Sequence, residues 1–296
     1  MKLLVIFNPG ASYGRAASRL GDIRDSFHDL GIKAEFLQTG HPGHATDLVA
    51  EADLGGYDGL IAAGGDGTVF EVLNGLYRRT ATERIPLGLL PVGTGNAFAR
   101  DLDLQPSAWR DAIELIRRGR TRLVDVGRVE AADASYHFLN IVHMGFTVAA
   151  NRTALKIKFL GHSAYTLAAL WQVLRMESYP LQLEIDGEVV RDDNVFVAVS
   201  NTRYTGTHFM MAPAAVVDDG MLDVTLLTRL SRRRVLRLFP TIYDGRHVGF
   251  DEVTTRRAEH IRISAPEAML MAPDGEFRGR TPAEVSCLRR DLELFC

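Results

Sequence analysis

Within the first hundred residues, runs of apolar side chains repeatedly end in glycine-rich turns, and helical patterns follow. LLVIFN (residues 3–8) gives way to Pro9-Gly10-Ala11-Ser12. DGLIAAG runs into Gly64-Gly65-Asp66-Gly67-Thr68-Val69, and IPLGLLPVG runs through Gly93 into Thr94-Gly95-Asn96. A continuous apolar strand must be covered on both faces, which a parallel sheet flanked by helices provides. KAEFLQT supplies a further strand and ends at Thr39. Helical stretches over about residues 12–30, 43–52 and 67–77, then NAFARDLDL and SAWRDAIELIRRG, fall between and after the strands. Strands alternating with helices of this length predict a parallel α/β domain over residues 1–122.

Beyond about Arg120 the rhythm changes. RLVDVGRVE, YHFLNIVHMGF, LQLEIDGEVVRD, NVFVAVSN, MLDVTLLT, HIRISA, AMLMAP and AEVSCLRRDLELF are short β patterns, joined in places by tight turns such as IDGE and PDGE. Helical stretches over about residues 147–176 and 232–243 interrupt them. Residues 123–296 therefore read as a β-rich, sandwich-like second domain.

The formal net charge of −3 argues against a general nucleic-acid binder. No apolar run approaches the roughly 18–20 residues that span a bilayer. MKLLVIFNPG breaks too soon for a signal peptide and reads as a first strand. Cys287 and Cys296 form no CxxC pair and no disulfide framework, which favours a reduced, cytoplasmic setting. The lysines, Lys2, Lys33, Lys156 and Lys158, follow no glycine-rich loop, so there is no GxxxxGK[ST] phosphate loop.

Ligands of open α/β sheets bind at the carboxyl ends of strands. Taken singly, each glycine-rich loop is as readily a structural turn as a site. Two in successive strand–helix units, Gly64–Val69 and Gly93–Asn96, point to a polyphosphate wrapped by backbone N–H groups. Asp66 would repel a bare phosphate, so a cation such as Mg²⁺ is expected between them. Thr68 is expected to cap the following helix. In the second half, Asp218-Asp219-Gly220-Met221 precedes a strand and Asp274-Gly275-Glu276 follows one. Asp186-Gly187-Glu188 repeats the latter tripeptide in a plain hairpin, and spacing does not choose between the copies.

Other features have plainer readings. Arg232, Arg233, Arg234 and Arg237 begin a helical stretch whose apolar side would be Val235, Leu236, Phe239 and Ile242, with Pro240 as an interruption. A solvated arginine face accounts for it, although a basic helix also suits anionic headgroups. His143 and His208 have no partner at metal-ligand spacing and read as packing residues. AYTLAALWQVLRM reads as a core helix rather than a lipid contact, with a place along the acceptor cleft left open.

Together these motifs resemble the diacylglycerol kinase catalytic-domain family: soluble bacterial lipid kinases, with the sphingosine and ceramide kinases. NPGASYG, QTGHPGHATDLV, GGDGTVFEVLNGL, LGLLPVGTGNAFARDL, DVGRV, FLN…GF, LGHSAY, APAAVVDDGMLDV and MAPDGE match in order over nearly the whole chain. The resemblance implies an α/β nucleotide domain and a β-sandwich domain, with the active site in the cleft between them. It implies ATP held by Asn8, Pro9, Gly10, Ala11, Ser12, Thr39, Gly64, Gly65, Asp66, Gly67, Thr68, Val69, Gly93, Thr94, Gly95 and Asn96. It places Mg²⁺ on the side chain of Asp219 and the carbonyls of Val216 and Met221, with Asp66 joined through water. Glu276 rather than Glu188 becomes the general base.

The expected reaction is ATP- and Mg²⁺-dependent phosphorylation of a lipid hydroxyl, with Glu276 taking the proton. The acceptor would be met at a membrane surface by a cytoplasmic, transiently bound protein. A diacylglycerol is the first candidate acceptor, and a sphingoid base remains open. Many bacterial relatives read GTGND where this chain has GTGNA, so Ala97 leaves the acceptor unassigned. An NAD kinase shares the GGDGT loop, and a non-catalytic nucleotide-binding regulator is the third reading. A homodimer is left open.

Overall fold

The computed structural model describes residues 1–105, 107–157, 163–206 and 208–296. The chain forms two compact units. The first comprises Met1–Val126, His137–Leu139 and Arg289–Cys296, and the second Gly127–Tyr136 and Asn140–Leu288. A division at residue 122 alone leaves the last strand out of the first unit.

In the first unit, β1 (Lys2–Phe7), β2 (Lys33–Gln38), β3 (Gly59–Gly64) and β4 (Leu87–Pro91) form the parallel sheet the apolar runs predict. Its order runs β4-β3-β1-β2, and the end of β16 (Ala283–Phe295) joins β4 in parallel, with Leu294 opposite Leu87. The apolar alternation of residues 283–295 could not reveal that destination. Phe295 reaches it because Gly59 and Gly88 leave room: a Cβ on either would lie 2.5 Å from the Phe295 ring or the Ile61 side chain, respectively.

Helices α1 (Leu20–Asp29), α2 (His44–Glu51), α3 (Asp66–Leu76), α4 (Ala97–Asp101) and α5 (Trp109–Arg117) occur where period and breakers place them. The start of the first differs, and the fourth stops at Asp101, short of the expected Leu104. Residues before Ala17 form turns, with Ser12, Tyr13 and Gly14 all left-handed (φ 52°, 59° and 84°). Leu3, Val5, Phe7, Ile23, Phe27, Ile61, Trp109, Ile113 and Phe295 form one buried core. Each such apolar side chain contributes roughly 1.5–3 kcal/mol by leaving water.

β5 (Thr121–Ala131) and β6 (Ser135–Phe138) each have residues in both units. The second unit is otherwise built from β7 (Ile141–Gly145), β8 (Tyr179–Ile185), β9 (Glu188–Ser200), the short pair β10 (Tyr204–Thr205) and β11 (Phe209–Met210), β12 (Leu222–Thr228), β13 (Val253–Ala258), β14 (His260–Ser264), β15 (Met271–Pro273) and the first part of β16. β9 is the long organiser. Its first half pairs with β8, its second half with β7, and β12 runs along the second half as well. β13 escapes the sequence reading because four of its six residues, VTTRRA, are exposed, so no apolar alternation marks it.

The stretch expected as one helix near residues 147–176 is two helices, α6 (Phe146–Lys156) and α7 (Ser163–Leu174). Residues 160–162 of LGHSAY lie outside the described residues. Helix α8 (Arg232–Leu238) is capped by the Ser231 hydroxyl, which accepts from the Arg234 N–H at 3.3 Å. Pro240 sits in the first turn of a separate 3-10 segment, Phe239–Asp244, and ends α8 rather than bending it. No helix among the described residues is long and apolar enough to cross a membrane.

Candidate active site

Because the strands are parallel, β1, β2, β3 and β4 all end at one edge. Phe7 lies beside Gln38 and Ala63, and Gly64 beside Pro91. The loops that leave this edge are tied together by side chains. Asn8 Nδ2 donates to Thr68 Oγ1 at 2.9 Å, while Asn8 Oδ1 accepts from the Gly10 N–H, holding Pro9 and Gly10 in a tight turn. The hydroxyls of Ser12 and Thr94 lie 3.4 Å apart. The Thr39 N–H donates to the Phe7 carbonyl at 2.9 Å, seating the end of β2 beside them.

Much of the glycine content serves this loop-on-loop packing. A Cβ on Gly64 would lie 2.2 Å from Thr68 Oγ1, and one on Gly93 would lie 2.3 Å from the Gly65 Cα. The Val92 and Gly93 N–H groups donate to the Gly64 carbonyl, and Asn96, in the left-handed region at φ 51°, donates from Nδ2 to the Gly93 carbonyl. Ala11 packs against the core, and Val69 is buried.

Thr68 does not cap α3. Gly65 is its N-cap and provides no side-chain cap, and the Thr68 hydroxyl accepts from Asn8 instead. The start of α2, by contrast, is filled: the Glu71 carboxylate accepts from the N–H groups of Gly43 and Ala45 at 2.7 and 3.1 Å. The N-cap of α3 is a glycine, which brings no side chain to the helix start. Gly67 lies in its first turn, and Gly95 immediately precedes Asn96.

Asp66 plays a role the spacing did not suggest. Its Oδ1 accepts from the Ala97 N–H at 2.7 Å, so the acid clamps the loop after β4 to the start of α3. Burial pushes its carboxyl up from 3.8 to about 6, against the downward pull of the backbone N–H groups of Ala97, Phe98 and Asn96. With Gly64, Gly65, Asn96 and Phe98 it lines a small recess under the loops.

In the second unit Asp274 and Gly275 take φ 44° and 91°, the geometry of a type I′ turn. Asp274 is buried, and its Oδ1 accepts from the N–H groups of Asn140 and Ile141 at 2.9 and 3.0 Å. Glu276 follows on the surface, its N–H donating to the Pro273 carbonyl. His143 is buried beside the Thr147 hydroxyl at 2.8 Å, and burial lowers it to about 4, so it is a neutral packing residue. His208 is exposed.

Asp219 and Met221 are joined by a 3.0 Å bond from the Met221 N–H to Asp219 Oδ1, and Val216 is exposed. Arg257 donates to Asp219 Oδ2 and faces Asp223 across the β12–β13 pairing. Burial pushes Asp223 up to about 6; Arg257 opposes the rise and the Asp219 charge adds to it. Asp223 Oδ2 is buried without a hydrogen-bond partner among the described residues. Sequence reading missed Glu71, Asp223 and Arg257. Only Asp223 left a signal, an acid inside the apolar run MLDVTLL. No cluster of three or more His, Cys, Asp or Glu among the described residues is placed to hold a metal. A cation here would rest on Asp219, Asp223 and backbone carbonyls. Those hard oxygen donors suit Mg²⁺, and the two carboxylates already have Arg257 as their balancing cation.

Known proteins resemble this chain over nearly its whole length. Residues 2–129 match the diacylglycerol kinase catalytic domain, and residues 140–296 match the YegS C-terminal NAD kinase beta sandwich-like domain. The chain is 32% identical over 296 residues to a diacylglycerol kinase of Mycobacterium tuberculosis, covering 99% of this chain and 94% of that one. It is 29% identical over 292 residues to a diacylglycerol kinase of Bacillus subtilis, covering 98% and 94%. A solved structure from Bacillus anthracis str. Sterne, provisionally described as a diacylglycerol kinase, superposes with a TM-score of 0.83 at 29% identity, covering 99% of this chain and 96% of that one.

Proposed function

The chain belongs to the diacylglycerol kinase catalytic-domain family and is a lipid kinase; from that premise we propose that it transfers the γ-phosphate of ATP to the hydroxyl of a diacylglycerol-like lipid alcohol. The observation that carries the nucleotide assignment is the glycine-capped N-terminus of α3, framed by loops that Asn8–Thr68, Ser12–Thr94 and Asp66–Ala97 contacts hold together. Unsatisfied N–H groups at a helix start attract phosphate. Loops already fixed by the chain's own bonds lose little freedom when it arrives.

Glu276 takes the acceptor's proton as the hydroxyl oxygen attacks phosphorus, and ADP leaves with the bridging oxygen's electron pair. Asp219 and Asp223, with the carbonyls of Val216 and Met221, would hold Mg²⁺, which would supply charge to offset that of the phosphates. Asp66, ionised above about pH 6, keeps the loop after β4 in place.

The test is transfer from labelled ATP to diacylglycerol, monoacylglycerol and sphingoid base in mixed micelles, with NAD in a parallel reaction and Glu276→Gln as the blank. Labelled lipid that disappears in the blank supports the reading and names the acceptor. Labelled NADP would replace it with the NAD kinase reading, and nucleotide binding without any product would favour a regulator.

A further inference from the structure

The turn that carries Glu276 is fixed by more than its own geometry. The Glu276 N–H closes it on the Pro273 carbonyl at 2.7 Å, and the Asp274 N–H donates to the Ile141 carbonyl at 2.8 Å. With the bonds from the Asn140 and Ile141 N–H groups to Asp274 Oδ1, the tripeptide is seated where β7 begins. What holds Asn140 therefore also holds Glu276. The Asn140 carbonyl accepts from the N–H groups of Asn201 and Thr202 at 2.8 and 3.3 Å. Its side-chain Oδ1 accepts from the Thr202 hydroxyl at 3.1 Å. Asn201 and Thr202 directly follow β9, whose last residue, Ser200, pairs with Ile141.

This polar clasp lies in the interior: Asn140, Asn201 and Thr202 are 3%, 1% and 1% exposed. Polar side chains enclosed this way cost stability unless they are bonded, and apolar residues of similar size would fill the corner without that cost. The turn itself does not require them. In the Asp186-Gly187-Glu188 copy the carboxylate accepts from the N–H groups of Glu259, which is exposed, and His260, which is half-buried. What hydrogen bonds add over apolar packing is direction, because donor and acceptor must align. A buried bonded network therefore sets orientation as well as position. Of the two copies, the one carrying the proposed base is the one held in such a network.

We propose that Asn140 and Thr202 are positioning residues for phosphate transfer, which aim Glu276 by way of Asp274. The proposal rests on the reading of Glu276 as the general base. Proton transfer needs the base within about 2.6–3.2 Å of the hydroxyl it serves, and a misplacement of about 1 Å costs on the order of 10²-fold in rate. The Thr202 hydroxyl fixes the Asn140 side chain, and the N–H groups after β9 fix the Asn140 carbonyl. Together they set the direction of the Asn140 N–H, on which the Asp274 carboxylate is seated. Loss of the Thr202 hydroxyl removes one of those restraints and lets the turn, with Glu276, shift. The nucleotide-binding loops are built from other residues, so ATP binding is unaffected.

The experiment measures kcat and the KM for ATP with diacylglycerol in mixed micelles, for Asn140→Ala, Thr202→Val and Thr202→Ser. Each change is made in the unaltered chain and again in Glu276→Gln. Thr202→Val should lower kcat about tenfold and Asn140→Ala about 10–100-fold, with the KM for ATP within about twofold. Thr202→Ser, which keeps the hydroxyl, should restore kcat to within about twofold. In Glu276→Gln neither Asn140→Ala nor Thr202→Val should cost anything further, since no base remains to be aimed. Thr202→Val keeps the shape of the side chain, so the test stands even when Asn140→Ala does not fold. An unchanged kcat in Thr202→Val overturns the proposal, as does a loss that appears only in the KM for ATP. A loss that persists at full size in Glu276→Gln, or that Thr202→Ser fails to recover, marks a merely structural role and overturns it too. Full transfer by Glu276→Gln alone, or no labelled lipid from the unaltered protein, removes the general-base reading and the proposal with it. That outcome is visible in those two proteins before any change at Asn140 or Thr202 is made.

Discussion

The second unit contains the same tripeptide twice, and its two copies fold alike. Asp186-Gly187 takes φ 46° and 88°, and Asp274-Gly275 takes 44° and 91°. In each, the aspartate carboxylate accepts from two successive N–H groups of another segment: Glu259 and His260 for the first, Asn140 and Ile141 for the second. What differs is the setting. Asp186 is exposed at the tip of the β8–β9 hairpin, and Glu188 continues into β9 and pairs with Arg256 at 3.0 Å. Asp274 is buried, and Glu276 leaves the three-residue strand β15 for a segment without regular structure. Local chemistry dictates the turn; the surroundings dictate what its glutamate can serve.

The sharpest way to break this contrast is to neutralise both glutamates. Glu276→Gln should reduce phosphate transfer about 10²–10⁴-fold, the range for losing a general base, and Glu188→Gln should leave it near the unaltered rate. Equal losses in the labelled-ATP assay would erase the distinction between the copies.

A third carboxylate that holds backbone N–H groups, Asp66, extends the comparison to pH. Its proton is held to about 6 in the fold against 3.8 ordinarily. Between those values the folded chain binds more protons than the unfolded one. This contribution to stability is therefore complete below about 3.8 and lost as pH rises through 6. Asp66→Asn should flatten that decline and raise unfolding stability at pH 7 by an amount on the order of 3 kcal/mol, read from denaturant melts across the window. Asp223, raised by burial as well, stays as the internal control.

The smaller effects concern the turns themselves. Asp274→Ala strips an acceptor from two N–H groups in a buried place and should cost about 1–3 kcal/mol in denaturant melts. Asp186→Ala exposes its partners to water and should cost less than about 1 kcal/mol by the same measurement. A reversal of that order would show that burial does not separate the two turns.

How much was legible follows from the reach of each signal. β1, β3 and β4, their glycine loops and α2, α3 and α5 were readable, because apolar period and breakers act over a few residues. β13 was not, since a mostly exposed strand carries no apolar alternation. Among candidate site residues, Asn8, Ser12, Asp66, Thr68, Thr94 and Asn96 are brought together at one sheet edge. The reason for the glycines was only partly visible. Gly64 and Gly93 are small because Thr68 and Gly65 press on them, a contact no spacing reveals.

By itself, then, the sequence determined an α/β unit with phosphate-ready loops and a β-rich unit with two identical turns, because those signals are short-range and written in residue type. Tertiary structure alone decided that Asp66 would be enclosed, that Asp223 and Arg257 would face each other, that residues 289–296 would close the first sheet, and that α7 would keep an apolar side bare. Burial and charge balance belong to what packs against a residue, and those neighbours lie far away along the chain.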